Sequence, residues 1–157
     1  MQRITNCIIP YDGRILMIKK PRRGWWYPPG GKMESEELVT EAVEREVYEE
    51  TGLTIKAPEL RGVLTHLVTD GDSYTEKRTM FLFHAASFTG NAKLQSKEGE
   101  LSWMKIEDLP ELDMDEADRL VIQTILEEDG MIYGTFTYDT YKKLQHKKVE
   151  RNGKRIR

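Results

Sequence analysis

Three glutamates, Glu46, Glu49 and Glu50, recur at spacings i, i+3 and i+4 in a stretch with helical periodicity, which brings them to one side of a helix. Like charges so placed repel by about 0.2–0.5 kcal/mol per exposed pair, and by more when partly buried. They also fall near the negative end of the helix dipole, where cations are preferred. A positive charge between the carboxylates relieves both costs. Arg45 can supply part of it. A hard divalent cation with oxygen ligands supplies more, Mg²⁺ first and Mn²⁺ as its substitute. The alternative is a solvated acidic face, which is what most Glu-rich helices present.

The helix that must position these carboxylates is predicted from Glu37 to Glu50, a run without Gly or Pro. Ser35 is the expected N-cap, Glu36 and Glu37 suit the first turn, and Gly52 suits the stop. Leu38, Val39, Ala42 and Val43 form an apolar stripe. Continued along the helix, that stripe runs into Glu46, Glu49 and Glu50, so the core-facing side is expected to turn acidic.

Residues 21–33 form a Pro/Gly-rich loop ahead of that helix. Gly31, Glu37, Arg45, Glu46, Val47, Glu49, Glu50, Gly52 and Leu53 then follow the spacing G-x5-E-x7-R-E-V-x-E-E-x-G-L. This resembles the Nudix box, the signature of the Nudix hydrolase family, with every position present. The box spans 31–53 only. The resemblance implies an α+β fold with a mixed β-sheet sandwiched between α-helices. It also implies a MutT-like, Mg²⁺-dependent pyrophosphohydrolase. Such an enzyme cleaves a phosphoanhydride bond of a nucleoside di- or triphosphate, such as 8-oxo-dGTP or GTP, to a nucleoside monophosphate.

The chemistry explains the residue types. Phosphoanhydrides resist water because their oxygens repel nucleophiles, and a bound cation both neutralises that charge and acidifies a water. Glu46, Glu49 and Glu50 are the expected metal ligands. The resemblance adds a backbone carbonyl near Gly30 or Gly31, where a loop without side chains lets the backbone approach metal and phosphate. Arg45 is expected to orient the glutamates, and Glu37 to tie loop to helix. Glu98 resembles the family's acidic residue before a Trp-containing strand. It is the first candidate for a further ligand or base, with Glu100 second and Glu49 the other contender.

Recognition falls to the same loop and to a later helix start. Trp25, Trp26 and Tyr27 either stack on a nucleobase or pack beneath the loop. Arg23 and Lys32, with Lys19, Lys20 and Arg22, surround the loop and can hold polyphosphate. Met114 to Arg119 resembles the purine-recognising segment of MutT-like enzymes, with Asp118 at the position that meets the base edge. Tyr27 stands where one sanitising member has an Asn, a departure that bears on oxidised-guanine specificity. His66, His84 and His146 have no metal spacing and read as structural or surface residues.

The remaining chain reads mostly as strands: Ile4–Pro10 and Ile15–Lys19 joined by a hairpin turn at Asp12-Gly13, then Leu60–Val68, Met80–Phe88, Leu94–Lys97, Leu101–Met104 and Met131–Tyr138. Thr69–Lys77 reads as a polar loop, and Asp115–Glu128 as a second amphipathic helix with Leu120, Ile122, Ile125 and Leu126 facing the core. At 157 residues the chain fits one catalytic domain, 1–141, followed by a basic tail, 142–157. The tail holds eight of the 24 Lys and Arg against Glu150 alone, which leaves the body strongly acidic. The tail reads as a frayed, solvated terminus, or as a surface for RNA. A single cysteine, Cys7, and no signal peptide or membrane span fit a cytoplasmic protein, monomer or homodimer, with a small nucleotide as its partner. Two other functions stay open: an RNA 5′-triphosphate pyrophosphohydrolase, and a nucleotide-binding sensor without turnover.

Overall fold

A computed structural model describes all 157 residues. In chain order the elements are β1 (Gln2–Ile8), β2 (Pro10–Tyr11), β3 (Arg14–Lys20), β4 (Trp25–Tyr27), β5 (Gly30–Lys32), α1 (Val39–Thr51), β6 (Thr54–Lys56), β7 (Glu59–Thr69) and β8 (Tyr74–His84). There follow β9 (Ser87–Thr89), β10 (Gln95–Ser96), β11 (Gly99–Lys105), a 3₁₀ segment (Ile106–Glu111), α2 (Glu116–Glu127), β12 (Ile132–Tyr138), β13 (Leu144–Arg151) and β14 (Lys154–Arg155).

The main sheet has the order β14-β13-β12-β7-β8-β1-β5. It is mixed: β1 runs parallel to β8 and β12 parallel to β7, while the other pairs are antiparallel. A second sheet, β10-β11-β3-β2, carries β4 on the β3 edge. The apolar runs Cys7-Ile8-Ile9 and Ile15-Leu16-Met17-Ile18 need a core on each face, because successive side chains point to opposite sides. Two cores are there. Ile8, Ile15 and Met17 pack with Leu64, Leu82, Val121, Ile122 and Phe136 under α2. Cys7, Ile9, Leu16 and Ile18 pack with Val43, Val47, Phe83 and Leu101 under α1. The α+β fold with a mixed sheet between helices is therefore present.

Several boundaries differ from the sequence reading. Ser35 does not cap α1. The helix starts at Val39, and the Glu41 carboxylate accepts the Leu38 N–H at 2.8 Å. Glu36 and Glu37 thus lie outside the first turn, and Leu38, expected in the apolar stripe, is 66% exposed. The stop holds: Gly52 has φ +82, and its N–H donates to Tyr48 O. The Asp12-Gly13 turn joins β3 to the two residues of β2 alone, and β1 pairs with β5 and β8 instead. The loop 21–33 contains β4 and β5, and the loop after β7 shrinks to residues 70–73.

The terminal basic segment is not frayed. Residues 144–151 pair antiparallel with β12, and Val149 is buried in the α2-side core. β13 keeps Lys147 and Lys148 exposed. No helix is long and apolar enough to cross a membrane.

Candidate functional site

The carboxylate site forms where β5 passes between β1 and the second half of α1. Gly30 has φ +154, and a Cβ there would overlap the Thr5 carbonyl and come within 2.6 Å of Asn6 Cα. The Gly30 N–H donates to Glu50 Oε1 at 2.7 Å. Gly31 lies against the Glu46 carboxylate, and any Cβ at Gly31 would collide with it. Backbone approach fixes Gly30, whereas Gly31 faces the movable end of Glu46. Gly31→Ala is expected to displace the Glu46 carboxylate. Turnover should fall by about tenfold to 100-fold, the usual range for disturbing groups beside a metal, while circular dichroism stays unchanged. Retention of full activity would show that the position of Glu46 does not matter.

Arg45 ties the loop to the helix. Its Nε and Nη2 donate to the two Glu37 oxygens at 2.7 and 2.9 Å, a bidentate fork. Its Nη1 donates to Glu46 Oε1 at 3.0 Å and Glu49 Oε2 at 3.2 Å, and Nη2 also reaches the Lys32 carbonyl at 3.1 Å. Glu37 accepts the Glu34 N–H at 2.7 Å as well. Arg45 and that N–H together hold the Glu37 carboxyl down at about 2.

The three helix glutamates do not share one environment. The Glu50 side chain is 5% exposed, that of Glu46 is 17% and that of Glu49 is 57%. The expected acidic core-facing stripe is therefore Glu46 and Glu50, and Glu49 turns outward. Burial pushes the Glu50 carboxyl up to about 7. The charges of Glu46 and Glu98 add to the rise, and the Gly30 N–H and Lys20 oppose it. Burial also raises Glu46, helped by Glu49 and Glu98 and opposed by Arg45. The dipole penalty at the helix end is eased by Lys93, whose Nζ donates to the Glu49 carbonyl at 3.3 Å. Glu98 is exposed, and Lys20 stands 3.9 Å from both its Oε2 and Glu50 Oε2. Glu100, the second candidate, lies opposite Lys19 in the β3–β11 ladder.

This donor set fits a hard divalent cation. Glu46, Glu49, Glu50 and Glu98 are all oxygen donors, and their charges raise one another's proton affinity where they are buried. In this side-chain arrangement they are shared between Arg45 and Lys20, and no three acidic groups yet converge as a finished cage. The Gly31 carbonyl accepts from Thr5 Oγ1 at 3.4 Å.

A second cluster lies at the start of α2. Asp115 caps the helix through the Asp118 N–H at 3.2 Å, and its two oxygens receive the Tyr138 hydroxyl at 3.0 and 2.8 Å. Asp118 is buried, and burial first, then Asp115, raises its carboxyl well above the ordinary range. Tyr27 is raised by burial and then by the same two aspartates. The Trp26 N–H donates to the Asp113 carbonyl at 2.8 Å, which pulls β4 onto the lead-in to α2. His66 packs against Phe136 and Tyr138, with ring centroids 5.3 and 5.7 Å away, and burial lowers its basicity. Arg23 lies 4.4 Å over the Trp25 ring, and Lys19 lies 5.8 Å from that of Trp26. Lys32 is exposed at the edge of β5.

Sequence reasoning named Tyr27, Trp26 and Asp118 separately, and the fold brings them near one another. It missed the parts played by Asp115 and Tyr138, while His66, read as structural or surface, packs against Phe136 and Tyr138. Asp115 carried a signal, an N-cap residue three positions before Asp118. The Tyr138 hydroxyl carried none, since its partner is 23 residues away.

A family model of the NUDIX domain matches residues 1–125. Over 138 residues the chain is 44% identical to YvcI of Bacillus subtilis (strain 168), an uncharacterized Nudix hydrolase, covering 88% of this chain and 87% of that one. It is 34% identical over 111 residues to an ADP-ribose pyrophosphatase of Methanocaldococcus jannaschii, covering 69% and 64%. Among solved structures, a mutator MutT protein from Bacillus halodurans superposes with a TM-score of 0.92 at 39% identity, covering 96% of this chain and 98% of that one. That coverage extends the likeness beyond the matched domain, into β12–β14.

Proposed function

The chain belongs to the Nudix hydrolase family, and on that premise we propose that it converts a nucleoside di- or triphosphate to the nucleoside monophosphate with the help of Mg²⁺. It is a MutT-like pyrophosphohydrolase acting on acid anhydrides of phosphorus, in a family that acts on nucleoside diphosphate derivatives. The finer reading rests on one observation above all. Glu50 is buried, aligned by the Gly30 N–H, and within the field of Glu46 and Glu98, so its ionised form is costly until a cation stands beside it.

Glu46, Glu49, Glu50 and Glu98, with the Gly31 carbonyl, are the groups that would hold Mg²⁺, or Mn²⁺ in its place. A cation bound there supplies charge neutralisation at the phosphates and an acidified water. Arg45 links Glu46 and Glu49 through one guanidinium nitrogen and ties both to β5 through the Lys32 carbonyl. Glu98 is exposed and free of hydrogen-bonded partners on its carboxylate, which suits a group that takes a proton from water. Lys32 and Arg23 flank the approach for polyphosphate.

Base recognition is assigned to the second cluster. Asp118 holds its proton well above the ordinary carboxyl range, so it can donate a hydrogen bond to a base carbonyl. Trp26 and Tyr27 supply planar surface beside it. A purine, oxidised or not, presents both a carbonyl or amino edge and a wide face to such a site.

The deciding experiment is a panel of nucleoside di- and triphosphates, 8-oxo-dGTP, dinucleoside polyphosphates, ADP-ribose and 5′-triphosphorylated RNA, each with Mg²⁺ and Mn²⁺ and with products identified. Nucleoside monophosphate from a mononucleotide is the expected outcome. Cleavage of ADP-ribose or RNA alone would overturn the proposal. The RNA alternative is tested by Lys147→Gln with Lys148→Gln rather than by truncation, because deleting 142–157 also strips β13 and β14 from the sheet. Activity on RNA should then fall and lose part of its salt dependence, while a mononucleotide reaction stays indifferent.

A further inference from the structure

Lys20 ends β3, and its ammonium stands 3.9 Å from Glu50 Oε2 and 3.9 Å from Glu98 Oε2. The surroundings fix this placement from two sides. Glu50 cannot turn away, because its Oε1 is held by the Gly30 N–H at 2.7 Å and the side chain is buried. Gly99, at φ +150, leaves no room for a Cβ against the Lys19 carbonyl, so the backbone behind Glu98 is pressed onto the end of β3. The Glu98 N–H is further held by Ser96 Oγ at 3.1 Å. Arg45 takes no part here, since its guanidinium serves Glu37, Glu46 and Glu49.

The two cations of the site therefore differ in kind. Arg45 is a planar fork locked by several hydrogen bonds. Lys20 is a compact charge on a flexible stem, 35% exposed, at ion-pair range of both carboxylates without a hydrogen bond to either. Its ammonium stands at ion-pair range of both oxygens, so its charge opposes a divalent ion bound to Glu50 and Glu98 about 2.0–2.1 Å from each oxygen. The two cations compete for the same carboxylates. Two carboxylates and Lys20 sum to one negative charge. Replacing Lys20 by a divalent ion neutralises the pair and leaves the displaced ammonium repelled by the ion and attracted to phosphate.

We infer that Lys20 is a tethered counter-cation, a positioning residue that occupies the gap between Glu50 and Glu98 in the free protein, gives way to the metal, and moves to the substrate's phosphates. This rests on the reading that Glu50 and Glu98 hold the metal. The displacement makes metal entry a competition, and it couples metal loading to phosphate binding through one side chain.

The test measures Mn²⁺ binding without substrate, by the loss of the free-ion paramagnetic resonance signal, in wild type, Lys20→Met, Lys20→Gln and Lys97→Met. Lys97→Met removes an equal charge beside Glu98 but away from the gap. Removing Lys20 should tighten Mn²⁺ binding by about fivefold, against less than about twofold for Lys97→Met, sizes expected of half-exposed and exposed charge pairs. Metal-saturated Lys20→Met should also bind a non-hydrolysable nucleotide analogue more weakly than wild type. Equal changes at the two lysines, or weaker Mn²⁺ binding without Lys20, overturn the inference. A wild-type protein that binds no Mn²⁺ overturns the metal reading itself. If Lys20→Met fails to fold, the same criteria apply to Lys20→Gln.

Discussion

Glu50→Gln is expected to lower turnover by at least about 10³-fold while making the metal-free protein more stable at neutral and alkaline pH, a pairing that a merely structural glutamate would not give. The amide keeps an oxygen to accept the Gly30 N–H, so the local fold survives. What it loses is the buried charge. The Glu50 carboxyl is raised to about 7 in the folded protein, above its value in the unfolded chain, so the folded state holds the proton more tightly. Stability of the metal-free wild type must then fall as pH rises from the unfolded carboxyl range through about 7, and level off above it. Glu50→Gln lacks that slope. Thermal melts in chelator between pH 4.5 and pH 8 should show the two proteins diverging with rising pH, with the variant the more stable. Saturating Mg²⁺ should restore stability at pH 8 to the wild type alone, by mass action on the folded state. Near-wild-type turnover in Glu50→Gln, or parallel melting curves, would remove Glu50 from the centre of the site.

The family was legible in the sequence because its signature depends on short spacings. Gly31 to Leu53 lie within one loop and one helix, and side-chain types at fixed intervals determine which groups meet there. The two-faced strands around Ile8 and Met17 were legible for a similar reason, since unbroken apolar runs need a core on each side. The start of α1 was not. Ser35 looks like a cap, but Glu37 folds back onto the Glu34 N–H and Arg45, and Glu41 takes the capping role at Leu38 instead. The outward turn of Glu49 was also hidden, because periodicity alone put it on the stripe with Glu46 and Glu50. Long-range pairing defeated the reading elsewhere. The strand at 144–151 has few apolar residues because it lies at an exposed part of the sheet, and only its register with β12 makes it a strand. The Asp115–Tyr138 contact that frames Asp118 arises from the packing of β12 beside α2, which no local pattern encodes.

Arg45→Lys should then be the most damaging change at a residue that touches neither metal nor substrate. A lysine keeps the charge but cannot make the fork to Glu37 while also reaching Glu46, Glu49 and the Lys32 carbonyl. The carboxylates lose their common tether, and turnover is expected to drop by about 10²-fold, the range for groups that hold metal ligands in place. The metal concentration for half-maximal activity should rise, because Glu46 and Glu49 lose the donor they share. Acid stability gives an independent readout. With its carboxyl lowered to about 2, Glu37 contributes stability that is present above the unfolded carboxyl range and lost as pH falls toward 2. Weakening its partner shrinks that contribution, so Arg45→Lys should begin to unfold at a higher pH than wild type on acid titration followed by circular dichroism. An unchanged acid midpoint together with an unchanged metal requirement would mean that Arg45 only decorates the surface. A shifted acid midpoint with normal metal use would confine its role to holding loop and helix together.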